Sequence, residues 1–212
     1  MMTAVPSGST LLYLFADKVA PKDKKLTAGI AVPCKDLKVQ RKPLAGLLFA
    51  AAFYGLREQG LVSLEVVHKK VVFVKTKHVF ARKLRDEVRS GLEGAVLAGI
   101  GAEGEKAKTV VHRWFGSDSY DPWHFVILAA AEEAVELGVI KAVEAERGKV
   151  ARLVLGKTHL EPDCSAIAGL EAAANEFVGK WQNFQTSEPE LYKELVDECS
   201  AAISSRLETD DD

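Results

Sequence analysis

The sequence is poor in the residues and patterns that announce a chemistry. Its three cysteines, Cys34, Cys164 and Cys199, are odd in number and share no CxxC spacing. That argues against a disulfide scaffold or a zinc site, and for a reducing, cytoplasmic setting. Cys164 and Cys199 fall on the margin or the apolar stripe of expected helices and read as small core residues. No apolar run reaches the ~20 residues of a membrane span, and the nearest, Leu44 to Leu56, is bounded by Lys42 and Arg57. Met1 to Thr10 lacks a basic leader, and Leu11 to Ala16 is too short for a signal core. There is no nucleophile elbow, Walker loop or His–Glu zinc helix. These absences weigh against an enzyme and imply no cofactor.

Two constellations imitate sites. Gly99-Ile100-Gly101-Ala102-Glu103-Gly104 matches GxGxxG, with Asp121 at a tempting distance. A dinucleotide fold needs a buried strand before that loop and a second strand carrying the acid. Here a helical stripe precedes it, so a linker explains it better. His112, Asp118, Asp121 and His124 are metal-ligand types, yet none has the i, i+4 spacing that puts two ligands on one helical face. Asp121 is instead expected at a helix N-cap, with Pro122 at N1.

What is present is an ordinary globular composition, 48% hydrophobic and 27% charged, in 212 residues. That length suffices for one large domain or two small ones. The net charge of −2 conceals an asymmetry. Residues 1–92 carry 17 Lys+Arg against 7 Asp+Glu, whereas residues 93–212 carry 11 against 23. A split of this size fits a basic face for an anionic partner, attraction between halves or protomers, or two differently solvated surfaces. The densest basic stretch runs from His68 to Arg89. The candidate anion- or nucleic-acid-binding residues are His68, Lys69, Lys70, Lys75, Lys77, Arg82, Lys83, Arg85 and Arg89.

Hydrophobic periodicity organises the chain around Leu44 to Phe80. Thr10–Ala16 and Thr27–Val32 read as a hairpin with a basic turn. Pro43 is expected to open a helix that is apolar nearly all round, hence buried. Gly60 closes it in the left-handed region. Val62 to Val74 then alternates as a β-hairpin with His68-Lys69-Lys70 at its tip. Leu84 to Leu97 gives a helical stripe, and Gly99–Gly104 marks a boundary between a unit at 1–98 and a unit at 105–212. The second unit repeats the order: a helix over Trp123–Leu137 exposing Glu132, Glu133 and Glu136, a stop at Gly138, and a hairpin turning at Glu146–Lys149. Two further helices follow, the last with a Ser187/Glu190 capping box.

Helix, glycine, strand, turn, strand is the order of a winged-helix unit. The expectation is thus a helix-dominated α+β protein of two winged-helix-like units related by internal duplication. LAGLLFAAAFYGLREQGLVSLE at 44–65 and AVELGVIKAVEAERGKVARLVLGKTHLEPD at 134–163 also resemble the central helix and later hairpin of the Golgi phosphoprotein-type family. That resemblance implies a phosphoinositide-binding adaptor at a membrane surface, with no headgroup-binding residue transferable by position.

The functional expectation is a non-enzymatic binding or scaffold protein whose basic half meets an anionic partner. The alternatives are a nucleic-acid-binding winged-helix protein and the membrane-surface adaptor. The partner is another protein or the chain itself, nucleic acid, or anionic lipid headgroups. Residues 187–212 carry nine Asp+Glu against two Lys+Arg. Together with adjoining apolar rows on the last helix, this points to a homodimer in which an acidic end rests on a basic wing.

Overall fold

The helix α2 (Arg41–Glu58) is the axis of the molecule, and every residue from Leu44 to Leu56 on it is buried. Such a helix has no solvent face, and its neighbours must surround it. Helices α1 (Gly8–Leu14), α3 (Gly91–Gly99), α5 (Pro122–Glu136) and α8 (Pro189–Ser204) pack directly against it. Close approach to α8 depends on Gly46, where a Cβ would lie 2.0 Å from the Ser200 hydroxyl. The computed structural model describes residues 6–24, 29–71, 74–144 and 158–207, without the side chains at 69–71, 74–75, 143–144 and 158–159.

Around this axis the chain is helix-dominated α+β. Strands β1 (Ile30–Ala31) and β2 (Lys38–Val39) form a minimal ribbon. The long antiparallel pair β3 (Val62–Val71) and β4 (Val74–Lys83) is extended by β5 (Glu105–Lys106). A second hairpin joins β6 (Ile140–Glu144) to β7 (Thr158–Pro162). Helix α4 (Ala107–Phe115) follows β5, and α6 (Cys164–Gly169) and α7 (Glu171–Ser187) precede α8. Residues of 1–98 and of 105–212 contribute to one continuous core. The Gly99–Gly104 segment separates no cores: Gly99 packs so tightly that a Cβ would meet Val110 at 2.7 Å.

Both helix–hairpin transitions use the same stop. Gly60 (φ 68°) and Gly138 (φ 74°) adopt the left-handed conformation. The following amides, Leu61 N–H and Val139 N–H, donate to Leu56 O at 2.9 Å and Ala134 O at 3.1 Å. In both, the strand begins two residues after the glycine. A left-handed L-residue costs about 1–2 kcal/mol. Gly60→Ala and Gly138→Ala are therefore expected to lose similar stability, about 1–2 kcal/mol each, in urea unfolding.

Several sequence expectations need correction. Thr10–Leu14 lies in α1, and Ala16 opens a short 3-10 turn after it. Ser7 caps α1 by accepting from Thr10 N–H, and the whole helix is buried; a seven-residue apolar run has no alternation to mark it as strand or helix. Helix α2 starts at Arg41, so Pro43 occupies its third position, still within the turn whose N–H groups have no helical acceptor. The hairpin tip lies beyond His68-Lys69-Lys70, which belong to β3; His68 pairs across the ladder with Lys77 and Lys70 with Lys75. Residues 72–73 and the second hairpin's expected turn at Glu146–Lys149 lie outside the described residues.

The stripe from Leu84 onward becomes helical only at Gly91, leaving Leu84 and Val88 exposed. The Ser187 hydroxyl donates to Asn183 O, and Glu188 precedes α8 without a side-chain cap. Glu133 is buried. Both apolar rows of α8 are spent inside the chain: Leu191, Leu195, Cys199, Ala202 and Ile203 are buried, and Tyr192 and Val196 pack against the core.

The cysteines differ most. Cys34 and Cys164, 130 residues apart, form a disulfide, and both are exposed. The bond fastens the β1–β2 ribbon to the start of α6. Nothing in cysteine spacing signalled this, because the partners meet only through the tertiary fold. A structural disulfide belongs with oxidising compartments, which removes the cysteine argument for the cytoplasm. Among the described residues, no helix is long and apolar enough to cross a membrane.

Candidate functional site

The basic hairpin is largely answered from within. Glu190, near the start of α8, accepts from Lys77 at 2.6 Å and lies 3.7 Å from His68. The lysine holds the Glu190 carboxyl below the usual range. Glu198 bonds His78 Nδ1 at 2.9 Å and Val79 N–H at 3.3 Å, closing part of the β4 edge. Arg57 pairs with Glu188 at 2.7 Å. Closer to the strand ends, Arg82 meets Glu65 at 3.5 Å, Lys83 meets Asp86 at 3.1 Å, and Arg89 meets Glu87 at 2.7 Å. Arg85 is exposed and has no ion pair among the described residues. For Lys69, Lys70 and Lys75 only ladder positions are described. The acidic half thus answers Arg57, His68, Lys77 and His78, whereas Arg82, Lys83 and Arg89 pair with acids of the basic half itself.

A different cationic cluster lies where α2 and α5 begin. Asp121 caps α5, accepting from His124 N–H at 3.1 Å, and its other oxygen pairs with Arg41. Trp123, in the first turn of α5, is 6% exposed. Lys42 Nζ lies 4.3 Å from its ring centroid and the Arg41 guanidinium 6.0 Å. Such stacking holds Lys42 in place without neutralising it, whereas Arg41 is already paired with Asp121. The Trp123 indole N–H and Arg41 Nε are two of six buried side-chain polar atoms without a hydrogen-bond partner among the described residues. Buried donors ordinarily find acceptors, because an unmade bond costs about 1–3 kcal/mol. Gln40 supplies no side-chain cap to α2. The 18-residue helix therefore presents its positive end here. The junction thus brings together an uncapped helix start, two orphan donors and a lysine held on an indole.

The third feature is a cleft of about 820 Å³ beside the start of α1. Its floor holds two buried carboxylates. Glu133 accepts from Ser7 N–H at 3.0 Å and Ser7 Oγ at 2.6 Å; Glu93 accepts from Gly8 N–H at 3.1 Å and Gln59 Nε2 at 3.4 Å. Burial raises the Glu93 pKa above the usual carboxyl value, the Gly8 bond opposes the shift, and the Glu133 charge adds to it. A raised folded pKa means that the native state keeps a proton the unfolded chain releases. Stability from this group is therefore present below the ordinary carboxyl pKa and is lost as pH rises through the raised one. Glu93→Gln keeps one carbonyl acceptor for the Gly8 N–H and removes the charge. Its melting temperature is expected to gain on wild type progressively above about pH 4.5, the ordinary carboxyl range.

In the sequence Arg41 and Lys42 only precede the apolar run from Leu44, and Trp123 only opens the helix expected over Trp123–Leu137. The signal available was a bulky aromatic directly after Asp121-Pro122, but its cationic partners lie some 80 residues away. Glu93 and Glu133 had no signal beyond their positions on apolar helices. The metal-type residues are otherwise engaged: His112 Nε2 contacts Ser205 Oγ at 3.1 Å, and Asp118 pairs with Arg206 at 3.1 Å. Among the described residues, no cluster of three or more His, Cys, Asp or Glu is placed to hold a metal. No protein-family model, curated protein or solved structure matches the chain.

Proposed function

We propose that the protein is a non-enzymatic binding module that meets a phosphate-bearing partner at the Arg41–Lys42–Trp123 junction. One observation carries this reading: buried donors without acceptors, two cations against one indole, and an uncapped helix end coincide there. Hairpin cations outside strong internal pairs, Arg82 and Arg85 above all, add long-range attraction for the same anion. The lysines at ladder positions 69, 70 and 75 are proposed to contribute to that field. The repeated glycine stop of the two helix–hairpin segments supports a duplicated, winged-helix-like origin. The orphan donors favour a compact phosphate headgroup over a duplex, since one seat fixes one oxyanion.

Vesicles containing a phosphomonoester lipid, matched neutral vesicles, and an oligonucleotide duplex distinguish the sources when each is titrated over a salt series. Binding to phosphomonoester vesicles is expected, falling with salt. Lys42→Ala is expected to weaken it about tenfold, in the range of a lost charge-assisted contact. Duplex binding of equal strength would favour the nucleic-acid alternative. Indifference of all three to Lys42→Ala removes the site.

A further inference from the structure

The cleft beside α1 has no part in that reading. Its volume, about 820 Å³, lies within the range of small-molecule sites. Leu11, Leu137 and Phe177 supply apolar lining, and five carboxylates (Glu58, Glu93, Glu133, Glu136, Glu176) outnumber two cations. Both cations are already committed. Lys180 pairs with Glu176 at 2.8 Å, and Arg89 pairs with Glu87 at 2.7 Å and bonds Gln59. Glu93 and Glu133 hold the start of α1 by hydrogen bonds, but neither makes an ion pair among the described residues. Carboxylates alone would be a solvated acidic face. Here they share a ligand-sized volume with an aromatic ring and aliphatic side chains.

Local backbone is arranged to bring these groups together. A Cβ at Gly8 would lie 2.3 Å from the Phe177 ring, one at Gly55 2.7 Å from Glu93 Oε1, and one at Gly91 2.6 Å from Glu133 Oε2. Gly91 also has φ 58°, which favours glycine on conformational grounds. Three glycines thus admit the ring and both floor carboxylates.

We infer that this cleft binds a small amphiphilic organic cation, an ammonium on an alkyl or aryl body. The body rests on Phe177 and Leu137, and the ammonium lies among Glu58, Glu133 and Glu136. An inorganic anion is excluded by the like charge of the lining, and a neutral apolar ligand leaves the carboxylates uncompensated.

Calorimetric titration of the full chain with phenethylammonium, and with 2-phenylethanol as a neutral isostere, tests this. Saturable one-to-one binding of the amine is expected, with the alcohol weaker by about tenfold or more, the difference between a charge-assisted and a neutral hydrogen bond. Glu58 and Glu136 are exposed, so the double variant E58Q/E136Q is expected to fold, as near-ultraviolet circular dichroism would report. It should bind the amine about tenfold more weakly, because two charge contacts are removed. Lys42→Ala should leave amine binding unchanged, which separates this site from the anion seat. The inference is overturned if the amine does not bind, if the alcohol binds equally well, or if folded E58Q/E136Q binds as wild type does.

Discussion

Reduction of the Cys34–Cys164 bond, or joint replacement by Cys34→Ser and Cys164→Ser, is expected to lower the melting temperature by about 10–20 °C. The bond closes a loop across 130 residues of sequence. Loop closure of that length corresponds to about 5 kcal/mol in the chain-entropy description. For a domain of this size each kcal/mol moves the melting temperature by roughly 2–4 °C. Both cysteines are exposed, so serine substitution creates no core cavity and isolates the cross-link. Cys199 does not substitute for either partner: it is buried, and burial pushes its thiol up. Differential scanning calorimetry with and without a dithiol reductant measures the loss. A change within ±2 °C, about the effect of a 1 kcal/mol surface substitution, would show that the bond does not hold the ribbon to α6.

Trp181→Ala carries the next largest expected loss, about 3–5 kcal/mol, as for other buried aromatic truncations. Trp181 is 2% exposed and sits where α2, α7 and α8 meet. Its ring centroid lies 5.5 Å from that of Tyr54, 5.9 Å from Phe184 and 5.3 Å from Tyr192, in edge-to-face arrangements. Tyr54 stacks on Phe184 at 4.7 Å and donates its hydroxyl to Lys180 O at 3.1 Å. Burial is the first cause that pushes the Tyr54 phenol up to about 12. Removing the indole opens space that this cluster cannot close without losing the Tyr54 geometry. Trp181→Phe keeps part of the volume and should lose less. Guanidinium unfolding of the two variants reads the difference. Equal losses would mean that the indole's size is irrelevant to the junction.

Periodicity made the central features legible. A helix apolar on every face has to be the buried axis, and α2 is. Asp121-Pro122 predicted the start of α5, and Gly60 and Gly138 predicted the stops, because each rule concerns backbone groups within a few residues. Legibility failed where partners are remote. Ser7 is a sufficient cap for α1 only with Glu133 and Glu93 supplied from two other helices. Glu133 looked like one of three exposed acids on α5, yet the start of α1 lies over it. The basic run at His68–Arg89 was visible as composition, whereas its answer from Glu190 and Glu198 depends on how α8 lies against the hairpin. The proposed anion seat was invisible for the same reason: Arg41 and Trp123 belong to different helices.

An oxyanion received at the Trp123 junction is reported most directly by the indole N–H. The chain has three tryptophans, Trp114, Trp123 and Trp181, hence three indole resonances in a proton–nitrogen correlation spectrum. Trp123→Phe identifies the one concerned. On titration with inorganic phosphate, and then with a soluble phosphomonoester headgroup, the Trp123 resonance is expected to move saturably while Trp181 stays fixed. The movement should be lost in Lys42→Ala. A Trp123 resonance that stays in place at saturating anion, or that moves no less in Lys42→Ala, would contradict anion binding at this junction.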